Sequence, residues 1–263
     1  MKRYILIIPF LIFLLTFPGC APRKATVPFK GYTLPPEDIL KKISRTDNFG
    51  DTLKALVHIT VNTPRGKHSM KVALIAKMPS FLRAEVIPVI GTSNLFLSAS
   101  GDSLKVFLPQ KGEFYIGQAT RKNLTMFFPI NLKVEDIVSI LVGTPPLVKR
   151  KNITLQGYLE DKLYRINVIS QNKKVQSLWV DPYDNLVRIE VLDDDGRILY
   201  MVRLEDHSRI GGRSVPGKVM ITIGETHKLS ALIRYSHTQL SQDVDTTLFD
   251  LDIPPGIKPI YLD

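Results

Sequence analysis

The run Leu53-Lys54-Ala55-Leu56-Val57-His58-Ile59-Thr60-Val61 decides the fold. Leu53, Ala55, Val57, Ile59 and Val61 recur at every second position, and Lys54, His58, Thr60 and Asn62 fall between them. A period of two sends alternate side chains to opposite faces, so this is one half-buried strand rather than a helix. Pro64-Arg65-Gly66 turns the chain, and Met70, Val72, Leu74, Ala76 and Met78 alternate again on the return. Two such runs around a short turn predict an antiparallel hairpin.

The same period continues on the C-terminal side. Strands are expected at 82–86, 94–98, 103–108 and 113–117, with Ser100-Gly101-Asp102 and Lys111-Gly112 as turns. A non-strand block follows. A short helical piece at 123–128 ends at Pro129, and then Val134, Ile137, Val138 and Leu141 fall at i, i+3, i+4 and i+7. Glu135 and Asp136 suit the first turn of that helix, and Gly143 with Pro145-Pro146 ends it. So much of its circumference is apolar that it should be buried against the sheet. Beyond it the period returns to two, with strands expected at 153–159, 163–170, 175–180, 186–192, 198–204, 218–223 and 229–237. On the N-terminal side, Pro35-Pro36-Glu37-Asp38 opens a helix with Ile39, Leu40 and Ile43 on one stripe, stopped by Asn48-Phe49-Gly50. About a dozen strands and three short helices with no linker between them make one α+β domain. Its expected form is a strongly curved antiparallel sheet with the helices on the concave face.

The first residues carry a different signal. Lys2 and Arg3 precede the uncharged apolar run from Tyr4 to Phe17, and Gly19-Cys20 follows at once. The run is too short for a spanning helix, which needs about 20 apolar residues, and has the form of a signal-peptide core. Phe17-Pro18-Gly19-Cys20 resembles a bacterial lipobox, in which the Cys is diacylated and becomes the new N-terminus; Pro18 departs from the usual small residue. The competing reading is an ordinary secretory signal with a chance cysteine, although Cys20 is the only cysteine among 263 residues. Residues 21–28 hold two prolines and no period, as a tether does. The expected organisation is therefore a signal peptide over 1–19, an acylated Cys20 with a tether over 20–34, and a single domain over 35–263. Lipoproteins with Asp directly after the acylated Cys are kept in the inner membrane, and Ala21 in that place implies the outer membrane.

Composition narrows the function. A single cysteine excludes an intrachain disulfide, a cysteine-rich zinc site and an iron–sulfur cluster. The net charge of +10 is spread along the chain, which suits a protein beside anionic phospholipid and serves solubility equally, and no basic run points to nucleic acid. The five histidines form no His-x-x-x-His pair with a nearby carboxylate, and there is no Gly-x-Ser-x-Gly elbow or phosphate-binding loop. Asp193-Asp194-Asp195-Gly196 lacks the glutamate that a calcium loop needs six residues after the glycine, and reads as a hairpin turn. No enzyme, metal or cofactor is expected.

Taken in order, three segments resemble the LolA and LolB family of periplasmic lipoprotein carriers and outer-membrane lipoprotein receptors, and LolB-like receptors most closely. They are the strands around Pro88-Val89-Ile90-Gly91-Thr92-Ser93; the helix from Glu135 to Gly143 with Pro145-Pro146; and Leu178-Trp179-Val180-Asp181-Pro182 leading to Asp194-Asp195-Gly196. The ending Phe249-Asp250-Leu251-Asp252-Ile253-Pro254-Pro255-Gly256 is similar to one common in LolA. The resemblance implies an incomplete barrel of about eleven strands, plugged by helices, with an apolar cavity for acyl chains. It implies as partners outer-membrane phospholipid, the acyl chains of lipoproteins and a soluble periplasmic carrier, for a protein acting as a monomer. In this sequence Val57, Ile59, Leu74, Leu97, Val106, Val168, Ile189 and Ile221 would line that cavity, and Ile137, Val138 and Leu141 would plug it. LolB-like receptors project an apolar residue just before a glycine to promote transfer into the membrane; Ile90, next to Val89, takes that place. A packed strand end is the other placement open to Ile87, Val89 and Ile90. Two functions stay open in consequence: a lipid-handling receptor with a hollow interior, and a docking envelope lipoprotein with a closed one.

Overall fold

The hairpin forms over its whole length. In the computed structural model, which describes residues 35–44, 52–88, 90–146, 148, 150–224, 229–241 and 244–263, β1 (Thr52–Thr63) pairs with β2 (Gly66–Lys77) from Thr52 opposite Lys77 to Thr63 opposite Gly66. Helix α1 (Pro36–Ile43) precedes them, and β3 (Phe81–Ile87), β4 (Phe96–Ser100), β5 (Ser103–Leu108) and β6 (Glu113–Gln118) follow. Helices α2 (Arg121–Thr125) and α3 (Val134–Leu141) interrupt the strands. The chain resumes with β7 (Ile153–Glu160), β8 (Leu163–Ser170), β9 (Lys173–Val180), β10 (Leu186–Leu192) and β11 (Ile198–Glu205). Next come the small hairpin β12 (Ser208–Ile210) and β13 (Arg213–Val215), then β14 (Lys218–Ile223), β15 (Leu229–Ser241) and β16 (Pro259–Tyr261).

Fourteen of these strands make one large, curved, unclosed sheet in the order β16-β6-β5-β4-β3-β2-β1-β15-β14-β11-β10-β9-β8-β7. Its neighbours are antiparallel except β16, which lies parallel to β6. Helices are few beside so many strands. The expected count of about eleven strands is corrected to sixteen among the described residues. The excess includes three strands of three residues, β12, β13 and β16, which are too short to display a period of two.

Register explains the core. Leu74 lies opposite both Ala55 and Ala84, Ala84 opposite Leu97, and Leu97 opposite Val106, so one apolar row crosses five strands. A second row runs the other way from Val61 through Ala231, Ile221, Val202, Ile189, Leu178 and Ile166 to Gly157. All but Gly157 in these rows are buried. Helix α3 packs against β2 and β3 on this inner face and buries Val134, Val138, Ile140 and Leu141. The hydroxyl of Tyr235 on β15 donates to the Leu141 carbonyl at 3.0 Å, which satisfies one of the acceptors a helix end leaves free.

The outer face of β2 to β5 is covered by the C-terminal segment. Lys77 Nζ donates to the Val244 carbonyl at 3.0 Å, and Arg83 Nη1 donates to the carbonyls of Leu248 and Asp250 at 2.9 and 3.2 Å. Ser98 donates to the Phe249 carbonyl, and the Phe249 ring, 1% exposed, lies 5.4 Å from Phe81. This strap carries the Phe-Asp-Leu-Asp ending out to β16 at the sheet edge.

Candidate functional site

A pocket of about 710 Å³ opens on the inner face. Its strand wall is apolar, made by Val175, Val191, Leu192, Leu199 and Ile223, with the Tyr200 ring among them. Its helical wall is polar, made by Glu135, Asp136 and Ser139 of α3 and by Arg121 and Lys133. Helix geometry accounts for the division. The face of α3 that carries Val134, Val138 and Leu141 is spent on β2 and β3, so its acidic first turn is left to the pocket. Leu132, Val175, Leu192 and Tyr200 are buried, while Arg121, Asn131, Lys133 and Leu199 are exposed, so the first set lies deep and the second stands at the mouth.

Burial pushes the Asp136 carboxyl above the ordinary carboxylate value, against the pull of Arg121 and Lys133. Burial, with Asp136 nearby, also raises the Tyr200 phenol. The result is an amphipathic site, with a hydrocarbon surface on one side and charge and hydrogen-bonding capacity on the other. Among the described residues no three His, Cys, Asp or Glu side chains are placed to hold a metal ion. Asp193 closes the β10–β11 turn, its Oδ1 accepting from the backbone N–H groups of Asp195 and Arg197, both at 2.9 Å.

The residues singled out in the sequence are not brought together at this pocket. Val57, Leu74, Leu97, Val106, Val168, Ile189, Ile221, Val138 and Leu141 are buried in the core, with Ile59 and Ile137 packed partly buried against it, and none of these eleven lines the pocket. They belong to, or pack against, the core on which α3 lies. Ile140, outside the stripe that the spacing selects, is fully buried, whereas Ile137 is only partly buried against the core. The residues that do line the wall lie on β9, β10, β11 and β14, strands read correctly from their period. Their distinguishing feature is the part of the inner face that α3 leaves uncovered, which no local pattern reports.

Ile90 is 89% exposed, beside Gly91 at φ +90°, in the connection between β3 and β4. The base of that loop is closed by the Val86 N–H donating to the Leu95 carbonyl at 3.0 Å and by Ser93 donating to the Val86 carbonyl. Ile90 is therefore an exposed tip and not a packed strand end. Cys20 and Val89 lie outside the described residues. Among the described residues, no helix is long and apolar enough to cross a membrane.

No family model matches the chain, and no curated protein matches it by sequence. Solved structures do. A domain named for outer membrane lipoprotein sorting, from Vibrio parahaemolyticus, superposes with a TM-score of 0.56 at 13% identity, covering 81% of this chain and 95% of that one. A LolA superfamily protein from Nitrosomonas europaea gives 0.57 at 15% identity, over 83% and 98%. The chain has a LolA/LolB-like fold. A DUF1329 family protein from Desulfovibrio piger shares it, with a TM-score of 0.58 at 13% identity over 81% and 95%.

Proposed function

We propose that the protein is a lipid-handling lipoprotein of the outer membrane, anchored through Cys20, which takes acyl lipid or the acylated end of a lipoprotein into its inner-face pocket and aids insertion in the membrane. The observation that carries this is the pocket's two-sided lining in a LolA/LolB-like fold. An acyl chain laid on Val191, Leu199 and Ile223 leaves water at about 0.8 kcal/mol per CH₂, while its polar end meets Arg121, Lys133 and the first turn of α3. Binding and release of this kind need no catalyst. A carrier protein would deliver the client, and the exposed Ile90 tip would lower the barrier to its entry among lipid tails.

The docking reading, an envelope lipoprotein with a closed interior, draws on a different observation: the central inner face is filled by α3. Solvent extraction of the purified protein separates the two. The receptor reading expects non-covalent acyl lipid, reduced in a pocket-filling Leu199→Trp variant; absence of any such lipid favours docking. Ile90→Glu should fold and bind lipid as the parent does yet lose transfer to liposomes, because a carboxylate resists entry into hydrocarbon. Transfer at the parental rate would remove Ile90 from the mechanism.

A further inference from the structure

The β1–β2 turn, the β3–β4 loop and the β5–β6 turn lie side by side at one end of neighbouring strands. Lys71 on β2 is opposite Ile87, where β3 ends, so the β1–β2 hairpin runs on past its neighbour. Phe96 at the start of β4 is opposite Phe107, and the Gln110 side-chain amide donates to the Asn94 side chain at 2.6 Å, tying the loop to the next turn. From β6 to β1 this edge spans five strand spacings, about 24 Å at about 4.8 Å each.

Its charge is one-sided. Arg65, Lys67, Lys71 and Lys111 are all exposed there. The carboxylate of Glu113 already accepts from the Tyr115 hydroxyl at 2.9 Å and lies 3.9 Å from Lys111, and Glu85 is held by Arg83 at 2.8 Å. The acidic turn Asp193-Asp194-Asp195 joins β10 to β11, the fourth and third strands beyond β1 in the sheet order, and its side chains are engaged by Arg197 and Arg150. In the middle of the cationic edge stands Ile90, 89% exposed.

We infer that this edge is a docking face for a membrane surface rich in anionic phospholipid. A lipid surface alone offers what both features require, a negatively charged layer for the four cations and hydrocarbon just beneath it for the isoleucine. A polyanion without hydrocarbon would leave Ile90 in water. Each Lys or Arg held near such a surface strengthens association about fivefold, an effect that salt screens. The inference rests on the reading of the Ile90 loop as the tip that meets the membrane.

The test places a fluorophore at the tip of the full chain through Ile90→Trp. The one native tryptophan, Trp179, is 5% exposed on β9 under the Arg188 guanidinium and out of reach of lipid. Vesicles of brominated phosphatidylcholine, with and without phosphatidylglycerol, quench a tryptophan that enters the acyl layer. Quenching at position 90 should be strong with phosphatidylglycerol, several-fold weaker without it or at high salt, and lose its dependence on phosphatidylglycerol when Lys67→Glu and Lys111→Glu are added. Thermal melting should be unchanged by those two exposed substitutions. Equal quenching in both vesicles would overturn the anionic docking face while leaving the Ile90 tip in the membrane. Quenching in neither would overturn both and leave the edge to a protein partner.

Discussion

Tyr235 joins two elements that sequence distance separates, because its hydroxyl donates to the Leu141 carbonyl at the end of α3. Burial raises the phenol, so the group stays a donor throughout the physiological range. Tyr235→Phe keeps the ring and removes only the donor. The expected cost is about 1–3 kcal/mol for a carbonyl left without its partner, read from urea denaturation of the variant against the parent. His207 gives the fold a pH dependence of known sign. Burial lowers its pKa below 6.5, against the pull of Asp181, and its Nε2 lies 3.1 Å from the Leu186 carbonyl. Below pH about 6.5 the unfolded chain therefore binds more protons at this site than the folded one. Its contribution to stability is complete above that pH and falls away as pH drops through the folded value. A His207→Gln variant should lose that slope between about pH 7 and pH 5 in thermal melts, and an unchanged slope would assign it elsewhere.

At the scale of elements, α3 shows both the reach and the limit of sequence reading. Its start, its end and its burial follow from Glu135-Asp136, Gly143 and the apolar spacing, and Val134, Val138 and Leu141 are buried as that spacing requires. The spacing ranks Ile137 with them, yet Ile137 is only partly buried while Ile140, off that stripe, is fully buried like Val138. Ile140→Asp should then destabilise by several kcal/mol, an unpaired buried carboxylate with no route to water, and Ile137→Asp by clearly less. Equal melting temperatures for the two variants would contradict this account of the helix. The strap over 244–258 was legible only as a resemblance at its ending. It has no period of its own, and its hold on the outer face comes from Lys77, Arg83 and Ser98, residues more than 140 positions earlier in the chain.

For the whole molecule, periodicity located the long strands but not their order. β15 lies between β1 and β14 at the middle of the sheet, a placement set by long-range pairing such as Val57 opposite Tyr235. Its position brings β14 and β11 round to the side of α3 where the pocket opens, so the candidate site follows from topology more than from any motif. The residues selected from the sequence are packed in or against the core, on the inner face of the sheet or on α3; the uncovered hydrocarbon lies on β9 to β11 and β14. On this reading the uncovered wall receives an acyl chain. A palmitoyl probe with a photoreactive group near its methyl end, crosslinked to the purified full-length protein and mapped by mass spectrometry, tests it directly. The account predicts adducts concentrated on Val191, Leu199 and Ile223 and lost in competition with unlabelled lipid. Adducts confined to the outer face, or indifferent to competitor, would contradict it.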